Sequence, residues 1–390
     1  MSKKVIGFLN LFNSPNLGAL TEKRTLGSTS FLGRFALMDF PLSNFTNSGI
    51  DNFNILIKDN FRSVSKHVGS LKAWVNNAKI SRQNLLINEK GLKNPKINTD
   101  INCILNNDWV LYETKADAVI ILPAHIIDVI DLRPLLDQHF SSDADVTLVY
   151  SHINNADEAF LTSNIVTIKD NDVVSLKKNN GKIKDANVSL EAYVIGANTL
   201  QRILRDSDFS KLKSLKEAIG KFVANKSARV KAYEYVGYVR CFDSFQHFVD
   251  YSFELLDYNI AKNLYGKDWP IYTLTHNTPP AKYTMKADVS NSFVANGAYI
   301  GGTIKNSIIS RYVEIGEGAI IENSIILTGT YIDPGAVIKN AVIDKYCHIA
   351  SSAKIEGKTT SPIYLEQGTF YKWKSQWLQV KLIHCAKVVV

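Results

Sequence analysis

The sequence predicts an α/β domain followed by a left-handed parallel β-helix, and two patterns lead to this prediction. Over roughly the first 270 residues, short apolar runs alternate with amphipathic stretches. This order is typical of parallel βαβ units, in which helices cover both faces of a sheet. From about residue 290 onward, aliphatic residues recur with a period of 17 residues. A short fixed period of this kind is typical of a repeat architecture.

The first domain is predicted to contain at least five strands and five helices. The strands are apolar runs: Val5–Leu11, Asn54–Ile57, Ala118–Leu122, Val146–Tyr150 and Tyr193–Ile195. The helices are amphipathic stretches: Leu42–Ser48, Phe61–Val68, Leu132–His139, Ser214–Ala224 and Phe242–Asn263. Ligands bind such sheets at the carboxyl ends of the strands. The loop Asn10–Arg24, which follows the first strand, is therefore the first place to look for a site.

Two segments lie outside the predicted domains. The segment Asp268–Asp288 contains three prolines among polar residues and is predicted to be an extended linker. We place the first domain at residues 1–268 and the linker at 269–289. Residues 358–390 form an aromatic and basic tail that includes YKWKSQW (Tyr371–Trp377). We expect the tail to pack on the β-helix or on a partner subunit, and contact with a membrane surface is the alternative.

The repeats between these segments predict the β-helix, which we place at residues 290–357. Ile309, Ile326 and Ile343 lie 17 residues apart, and within each repeat the apolar positions step by six, six and five residues. Three short strands per turn, each with one aliphatic side chain inside, make a triangular coil. Val294 and Ile300 are placed in an irregular first coil. Because the aliphatic stack is structural, we interpret the repeats as a scaffold or an assembly surface.

Composition narrows the classes of function. The chain has 390 residues, a net charge of +8 and 45% hydrophobic residues, which is typical of a globular protein with two cores. No apolar run reaches the roughly 18 residues of a membrane span, and no signal-peptide pattern opens the sequence. The four cysteines are too widely spaced for a zinc site or a disulfide framework: Cys103, Cys241, Cys347 and Cys385. We expect a cytoplasmic protein that binds neither nucleic acid nor membrane.

Three segments resemble those of the ADP-glucose pyrophosphorylases, also called glucose-1-phosphate adenylyltransferases. They are LGALTEKR (Leu17–Arg24), DFPLSNFTNSGIDN (Asp39–Asn52) and PIYTLTHNTPPAKYT (Pro270–Thr284). The resemblance implies a Rossmann-like nucleotidyltransferase domain before the β-helix. It also implies the reaction of that family, in which ATP and glucose-1-phosphate give ADP-glucose and pyrophosphate. Catalytic members use Mg²⁺, a glycine-rich phosphate loop and two aspartate ligands.

This chain departs from the family pattern at the positions that carry the chemistry. Alignment on Leu17 puts Leu11, Phe12 and Ser14 at the three loop glycines and Asn16 at the loop arginine. Pro15 also removes a backbone donor. The family element K-P-A after the loop is absent as well.

The two metal-binding aspartates of the family are also replaced. Ala124, in ILPAHII, stands at the first aspartate, and Cys241, in YVRCFDSF, stands at the second. Magnesium prefers hard oxygen ligands, which neither side chain offers. We therefore expect no catalytic residues, no bound metal and no cofactor in this chain. Compensation by Asp128, Asp131 or Asp243 is the alternative.

This chain keeps the framework segments of the family but has lost the phosphate loop and the metal ligands. In this combination it resembles the GlgD-type subunits of bacterial glucose-1-phosphate adenylyltransferases. The resemblance implies a regulatory pseudoenzyme of glycogen biosynthesis that pairs with a catalytic homologue in a heterotetramer. Three alternatives stay open: an active nucleotidyltransferase with other metal ligands, a stand-alone sugar-phosphate sensor, and an acyltransferase that uses His348 of the β-helix.

Several basic residues are candidates for binding phosphorylated ligands. The resemblance puts Lys23 and Arg24 at an effector site between the two domains, with Arg34 nearby; pairing with a neighbouring subunit is the alternative. Lys177 and Lys178 lie near the expected position of the lysine that holds the sugar phosphate, although they also fit a solvated turn. His125 is interpreted as a hydrogen-bonded structural histidine. A polar set on the turn-to-helix element is interpreted as capping and interface groups: Asp39, Ser43, Asn44, Asn47 and Ser48.

Overall fold

A computed structural model describes residues 3–76, 81–206, 209 and 211–372. The strands of the first domain are β1 (Val5–Asn10), β2 (Ser30–Phe31), β3 (Phe35–Ala36), β4 (Phe53–Ile57), β5 (Gln83–Ile87), β6 (Ala118–Pro123), β7 (Ile126–Asp128), β8 (Val146–Ile153), β9 (Asn164–Lys169), β10 (Asp172–Lys178), β11 (Ala186–Gly196), β12 (Val230–Glu234) and β13 (Val239–Cys241). Its helices are α1 (Ala19–Glu22), α2 (Asp39–Asn47), α3 (Phe61–Val68), α4 (Asp100–Asn106), α5 (Trp109–Thr114), α6 (Leu132–Ser141), α7 (Ala197–Arg205), α8 (Leu215–Asn225), α9 (Phe245–Glu254) and α10 (Tyr258–Ala261). Four short 3-10 turns lie at Leu26–Ser28, Lys72–Trp74, Gly91–Lys93 and Pro95–Ile97.

Nine of these strands form one mixed sheet in the order β5-β4-β1-β6-β11-β8-β12-β10-β9. The strands β5, β4, β1 and β6 run parallel, while β11 is antiparallel to both β6 and β8. Because β1 and β6 are parallel neighbours, the loop after β1 and the residues after β6 meet at one edge of the sheet. All five predicted strands lie in this sheet.

Both faces of the central strands are buried, as expected for strands that are apolar along most of their length. Successive side chains of β1 point to opposite faces. Phe8 therefore packs with α4, α7 and α8 in one core layer, while Leu9 packs with α2 and α6 in the other. The predicted α/β architecture is confirmed.

Capping residues divide the long helix that was predicted over Phe242–Asn263. The Ser244 side chain accepts a hydrogen bond from the N–H of His247 and so begins α9. The Asp257 side chain accepts from Asn259 N–H and begins α10 in the same way. The prediction of a single helix is wrong because these two polar residues give the chain separate starts.

Helix α2 holds the linker against the first domain. The Ser43 hydroxyl accepts a hydrogen bond from the N–H of Tyr272 (2.8 Å), and the Asn47 amide donates to the carbonyl of Pro270 (3.0 Å). Asn44 accepts from the indole of Trp269 (3.0 Å). The polar residues of this helix therefore connect two parts of the chain, as predicted.

The second domain is a parallel β-helix of sixteen short strands in the described residues. They are β14 (Lys282–Tyr283), β15 (Asp288–Ser290), β16 (Phe293–Val294), β17 (Tyr299–Ile300), β18 (Thr303–Lys305), β19 (Ile308–Ile309), β20 (Glu314–Ile315), β21 (Ile320–Glu322), β22 (Ile325–Ile326), β23 (Tyr331–Ile332), β24 (Val337–Lys339), β25 (Ala341–Ile343), β26 (His348–Ile349), β27 (Lys354–Glu356), β28 (Ile363–Leu365) and β29 (Phe370–Tyr371). They form three parallel sheets of six, five and five strands, and the aliphatic residues of the repeat fill the interior.

The β-helix is longer than predicted at both ends. Strand β14 lies inside the predicted linker and pairs with β17, and β28 and β29 lie beyond residue 357. The boundaries 290–357 are therefore too narrow, because the first and last coils lack the regular isoleucine spacing. The part of the tail beyond Lys372, including most of YKWKSQW, lies outside the described residues.

The repeated asparagine and serine of each coil form its corner. Asn306, Asn323 and Asn340 adopt φ angles of 45°, 46° and 48°, in the left-handed region that asparagine tolerates better than most residues. The hydroxyl of Ser307 accepts from the N–H of Ser324 one coil further on (3.1 Å). Ser324 in turn accepts from the N–H of Ala341 (3.2 Å), so each corner is bonded to the next.

One sheet of the β-helix packs against the first domain. Outward-facing Ile308, Ile325 and Val342 are buried in a shared cluster with Phe242 and Phe248 of the first domain. None of the helices in the described ranges combines the length and apolarity needed to cross a membrane.

Candidate functional site

Part of the backbone of the loop after β1 is hydrogen-bonded by the loop's own side chains. Three N–H groups of the loop donate within it: Phe12 to Asn10 Oδ1 (2.9 Å), Leu17 to Thr21 Oγ1 (2.9 Å) and Gly18 to Asn16 Oδ1 (2.8 Å). Pro15 has no N–H to offer. A phosphate loop works by turning its N–H groups toward the anion. Here the N–H groups of Phe12, Leu17 and Gly18 are already used within the loop.

The residues at the predicted glycine positions reinforce this change. Leu11 and Phe12 are buried in the two core layers on opposite faces of the sheet. The Ser14 hydroxyl is buried without a hydrogen-bond partner among the described residues. Asn16 is exposed, and its side-chain oxygen accepts a hydrogen bond from the N–H of Gly18 in the same loop. The start of the loop is therefore part of the hydrophobic core, and its end is a turn held by hydrogen bonds within the loop.

Asp100 holds the loop to the neighbouring helices. Its fully buried carboxylate accepts from the amides of Asn10 (2.9 Å) and Asn13 (3.1 Å) and from the N–H of Leu215 (3.0 Å). Burial raises the pKa of Asp100 to about 6, against the lowering effect of these hydrogen bonds. The network joins the loop to the starts of α4 and α8.

Ala124 follows β6 and lies in the core. Its side chain is 0% exposed. The space around it is tight, since a Cβ added to Gly27 would lie 3.0 Å from Ala124 Cβ and 2.8 Å from a methyl of Leu11. A carboxylate at position 124 would have neither room nor solvent, so this position does not present a ligand to a metal.

Cys241 occupies a similar environment in β13, which pairs with β7. Its side chain is fully buried. Burial first, and then the nearby carboxylates of Asp243 and Glu191, raise the pKa of the thiol well above its usual value. The thiol therefore stays protonated at neutral pH and is a poor metal ligand.

The three carboxylates considered as substitutes are all engaged elsewhere. Asp128 is buried and accepts from the Asn44 amide (2.7 Å). Asp131 caps α6 and pairs with Arg133 (2.7 Å). Asp243 accepts from a backbone N–H and from His247 (2.5 Å). Within the described residues, no group of three or more acidic, histidine or cysteine side chains is arranged to hold a metal ion.

A small polar pocket lies at the carboxyl ends of β1 and β6, beside the middle of β11. Glu191 and Lys216 form an ion pair in it, with Lys216 Nζ 2.6 Å from Glu191 Oε1. The remaining cavity has room for about one water molecule, roughly 10 Å³. The predicted candidates Lys177 and Lys178 are exposed at the end of β10 and do not line this pocket. The basic residue of the pocket is Lys216, which the sequence analysis did not single out.

His125 lies beside this ion pair, and its interpretation needs correction. The ring is 1% exposed, and neither ring nitrogen has a hydrogen-bond partner among the described residues. Its Nε2 lies 3.8 Å from Glu191 Oε2. Burial is the largest influence on the His125 pKa and lowers it, so the ring is neutral at pH 7. The histidine is buried as predicted, but it is not hydrogen-bonded.

The structure gives Arg24 a structural role in place of the predicted effector contact. Its guanidinium is buried and forms a bidentate pair with Asp344 of the β-helix, at 2.8 and 2.7 Å. It also donates to Gln367 (2.9 Å). Every one of these partners belongs to the second domain. Lys23 is exposed beside it and stays a candidate for ligand binding.

Arg34 lines an open pocket of about 540 Å³ between the two domains. Arg311 and His276 line the same pocket. Burial, and then the charge of Arg34, lower the pKa of Arg311. The described residues give Arg311 no ion pair, and its only side-chain hydrogen bond there is to Asn296 (3.4 Å). Two guanidinium groups that face one cavity without carboxylate partners can hold an anionic ligand.

Comparisons with known proteins agree with this architecture. A nucleotidyl transferase family model matches residues 16–160, and a GlmU-like C-terminal hexapeptide model matches residues 279–360. The chain is 29% identical to a glucose-1-phosphate adenylyltransferase of Lachnospira eligens, over 77% of this chain and 71% of that protein. For the same enzyme of Thermotoga maritima the identity is 27%, over 78% and 73%. The glycogen biosynthesis protein GlgD of Bacillus subtilis is 29% identical, over 90% of this chain and 92% of that protein. The resemblance and the fold class predicted from the motifs are confirmed.

Proposed function

We propose that this chain, a relative of the glucose-1-phosphate adenylyltransferases and of GlgD, is a non-catalytic subunit that regulates a catalytic homologue. The partner would form ADP-glucose for glycogen biosynthesis. One observation carries the proposal: the positions that should neutralise the triphosphate and hold Mg²⁺ are built into the core. Ala124 and Cys241 are fully buried, Leu11 and Phe12 pack in the core, and three N–H groups of the loop after β1 donate to the loop's own side chains.

The formation of ADP-glucose needs groups that position the phosphates and neutralise their charge, more than it needs a side chain that forms a covalent intermediate. Phosphoryl and nucleotidyl transfers are accelerated mainly by positioning and by neutralising charge on the phosphate oxygens. Three N–H groups of the loop are used internally, no group of three or more metal-binding side chains lies among the described residues, and the pocket has almost no free volume. Such a site supplies little of either effect. We infer that the chain alone does not form ADP-glucose.

Regulation would act through assembly with the catalytic homologue, in a hetero-oligomer that we propose to be a heterotetramer. The near full-length match to GlgD supports this role, since that match covers more of the chain than the matches to the adenylyltransferases do. The β-helix, which supplies no catalytic group, would then act as scaffold for the assembly.

The interdomain pocket at Arg34 and Arg311 is the proposed effector site. It has the volume of a small-molecule site and two basic side chains, Arg34 and Arg311, for which the described residues show no ion pair, although the charge of Asp39 acts on Arg311. A phosphorylated effector fits this chemistry. The same pocket favours the second candidate function, a stand-alone sugar-phosphate sensor. Sugar-phosphate stabilisation of the chain without any partner, lost in Arg311→Ala, would support that function.

The test is ADP-glucose formation from ATP and glucose-1-phosphate by this chain alone, by a catalytic homologue from the same genome alone, and by the two mixed. We expect no turnover from the chain alone, and a rate or effector response in the mixture that differs from the homologue's. Turnover by the chain alone would overturn the proposal. So would a mixture that behaves as the homologue does while the two proteins fail to co-purify.

A further inference from the structure

Glu191 is held in a conformation that its side chain disfavours. It lies in β11, within the irregular stretch between Ser189 and Tyr193 where the pairing with β8 shifts register. Its φ angle is +53°, a region that glycine adopts freely and other residues avoid. Its side chain is only 5% exposed. Backbone strain at a buried acidic residue is the kind of outlier that points to a functional constraint.

The carboxylate of Glu191 meets two groups that bind anions. Lys216 Nζ lies 2.6 Å from Oε1, and the same ammonium donates to the carbonyl of Thr162 at 2.5 Å. The ring of His125 lies on the other side, with Nε2 3.8 Å from Oε2. Because neither ring nitrogen of His125 has a partner in the described residues, its N–H is available as a donor.

The place of this cluster in the fold matches a ligand site. It lies at the carboxyl ends of the parallel strands β1 and β6, beside the middle of the antiparallel strand β11, and the carboxyl ends of parallel strands are where open α/β sheets bind their ligands. Asn10, Asn13 and Tyr193 line the same cavity. Lys216 is about one-fifth exposed, so the cluster lies close to solvent.

We propose that the Glu191 carboxylate is an internal substitute for the phosphate group of a ligand, and that Lys216 and His125 form an oxyanion site that the chain closes with its own side chain. Charge supports this assignment, since a half-enclosed ammonium needs one anion beside it and Glu191 supplies it. The backbone supports it too, because the strained φ angle places the carboxylate against Lys216. The inference rests on the proposed function, in which this pocket performs no chemistry. It adds that the pocket is held closed without a ligand.

The test compares inorganic phosphate and glucose-1-phosphate binding by wild type and by Glu191→Gly, measured on the chain alone by calorimetric titration and thermal shift. Glycine suits the φ angle at position 191, so the variant should fold. We expect Kd for phosphate to be at least about tenfold lower in Glu191→Gly than in wild type, with a higher Tm in its presence. Which of the two ligands binds more tightly shows whether the opened pocket also accepts a sugar.

Three further variants sharpen the test. Glu191→Gln removes the charge while keeping the bulk, and should gain weaker phosphate binding than Glu191→Gly. Its matched control is Asp172→Asn, which neutralises the partner of Lys231 at 2.7 Å outside the pocket and should gain none. Adding Lys216→Ala to Glu191→Gly should abolish the gain.

Equal phosphate binding by wild type and Glu191→Gly would overturn the inference. A folded Glu191→Gly and a folded Glu191→Gln that both fail to bind would overturn it as well. Neither result depends on a partner subunit, so failure here is distinguishable from failure of the mixed activity assay.

Discussion

At the scale of single residues, Asp128 is a buried carboxyl group with one strong donor, the Asn44 amide at 2.7 Å. Burial raises the Asp128 pKa to about 7, against the lowering effect of that hydrogen bond. The unfolded chain releases the proton near pH 3.9, about the usual aspartate pKa, while the folded protein keeps it. Stability is therefore unaffected below about pH 4 and falls as the pH rises to about 7.

Asp128→Asn should remove this pH dependence. Between about pH 4 and pH 8, we expect its free energy of unfolding to fall by about 2–4 kcal/mol less than that of wild type. Urea unfolding at several pH values measures the difference. Asp131→Asn is the control with the opposite sign, because hydrogen bonding to Arg133 lowers the Asp131 pKa, and that stabilisation is lost as the pH falls. Parallel pH profiles for wild type and Asp128→Asn would contradict the expected titration.

Ala124→Asp tests whether the first metal position can be restored. The new carboxylate would be fully buried, close to Gly27. We expect a loss of at least about 3 kcal/mol in the free energy of unfolding, and no Mg²⁺-dependent ADP-glucose formation, even together with Cys241→Asp. Ala124→Ser, which adds one hydroxyl, should cost less. A stable, active double variant would show that the loop after β1 is no obstacle to catalysis.

The residue identities alone predicted that the phosphate loop and the metal ligands are lost. They did not predict the contacts that occupy the same places in the structure. Leu11, Phe12, Ala124 and Cys241 could be predicted as unsuited to phosphate and metal from their side chains. Lys216 could not be singled out, because it meets Glu191 only when a bulge in β11 and the start of α8 converge. The partner of Arg24 was equally hidden, since Asp344 belongs to the other domain.

At the scale of elements, the corner of each β-helix coil depends on a residue that tolerates a positive φ angle. Asn323 is exposed and has a φ of 46°. Asn323→Ala should lower the free energy of unfolding by about 1 kcal/mol, because alanine pays the full penalty of the left-handed region. Asn323→Gly should be close to neutral. Thermal unfolding of the two variants measures the difference, and equal effects would contradict the role given to the corner.

The elements predicted best are those with a strict local pattern. The 17-residue spacing predicted the regular coils of the β-helix correctly, because each short strand must point one aliphatic side chain inward. The first coil was predicted to start at Val294, after its true start, because Lys282–Tyr283 and Asp288–Ser290 carry no isoleucine and their pairing with β17 and β18 is set by neighbours. The sequence contained the signals for two separate helices, because Ser244 and Asp257 are residue types that cap helix N-termini. Their capping outweighs the continuous amphipathic pattern that predicted a single helix.

At the scale of the whole molecule, Arg24 joins the two domains. Its guanidinium makes three hydrogen bonds to the β-helix, and Asp344 also accepts from the hydroxyl of Tyr364 (2.5 Å). Arg24→Ala leaves Asp344 buried without its counter-charge. We expect a loss of about 3–5 kcal/mol in the free energy of unfolding, measured by urea denaturation.

A matched control separates this effect from the general loss of an ion pair. Arg133→Ala removes an equally short but exposed pair with Asp131 and should leave stability nearly unchanged. Similar losses for Arg24→Ala and Arg133→Ala would contradict the interdomain role of Arg24.

The in-register stacking of the coils has a consequence for insertions and deletions. A stack of like coils tolerates the gain or loss of one repeat within itself, because each coil bonds only to its neighbours. Here the segment Arg24–Arg34 of the first domain contacts two different coils of the β-helix. Arg34 lies beside Arg311, and Arg24 pairs with Asp344, which is two coils further along the stack. Removing residues 324–340, one repeat between Arg311 and Asp344, would shorten that separation by about 4.8 Å. The two contacts could then no longer form together, so we expect the number of coils between them to be invariant while coils beyond Asp344 vary.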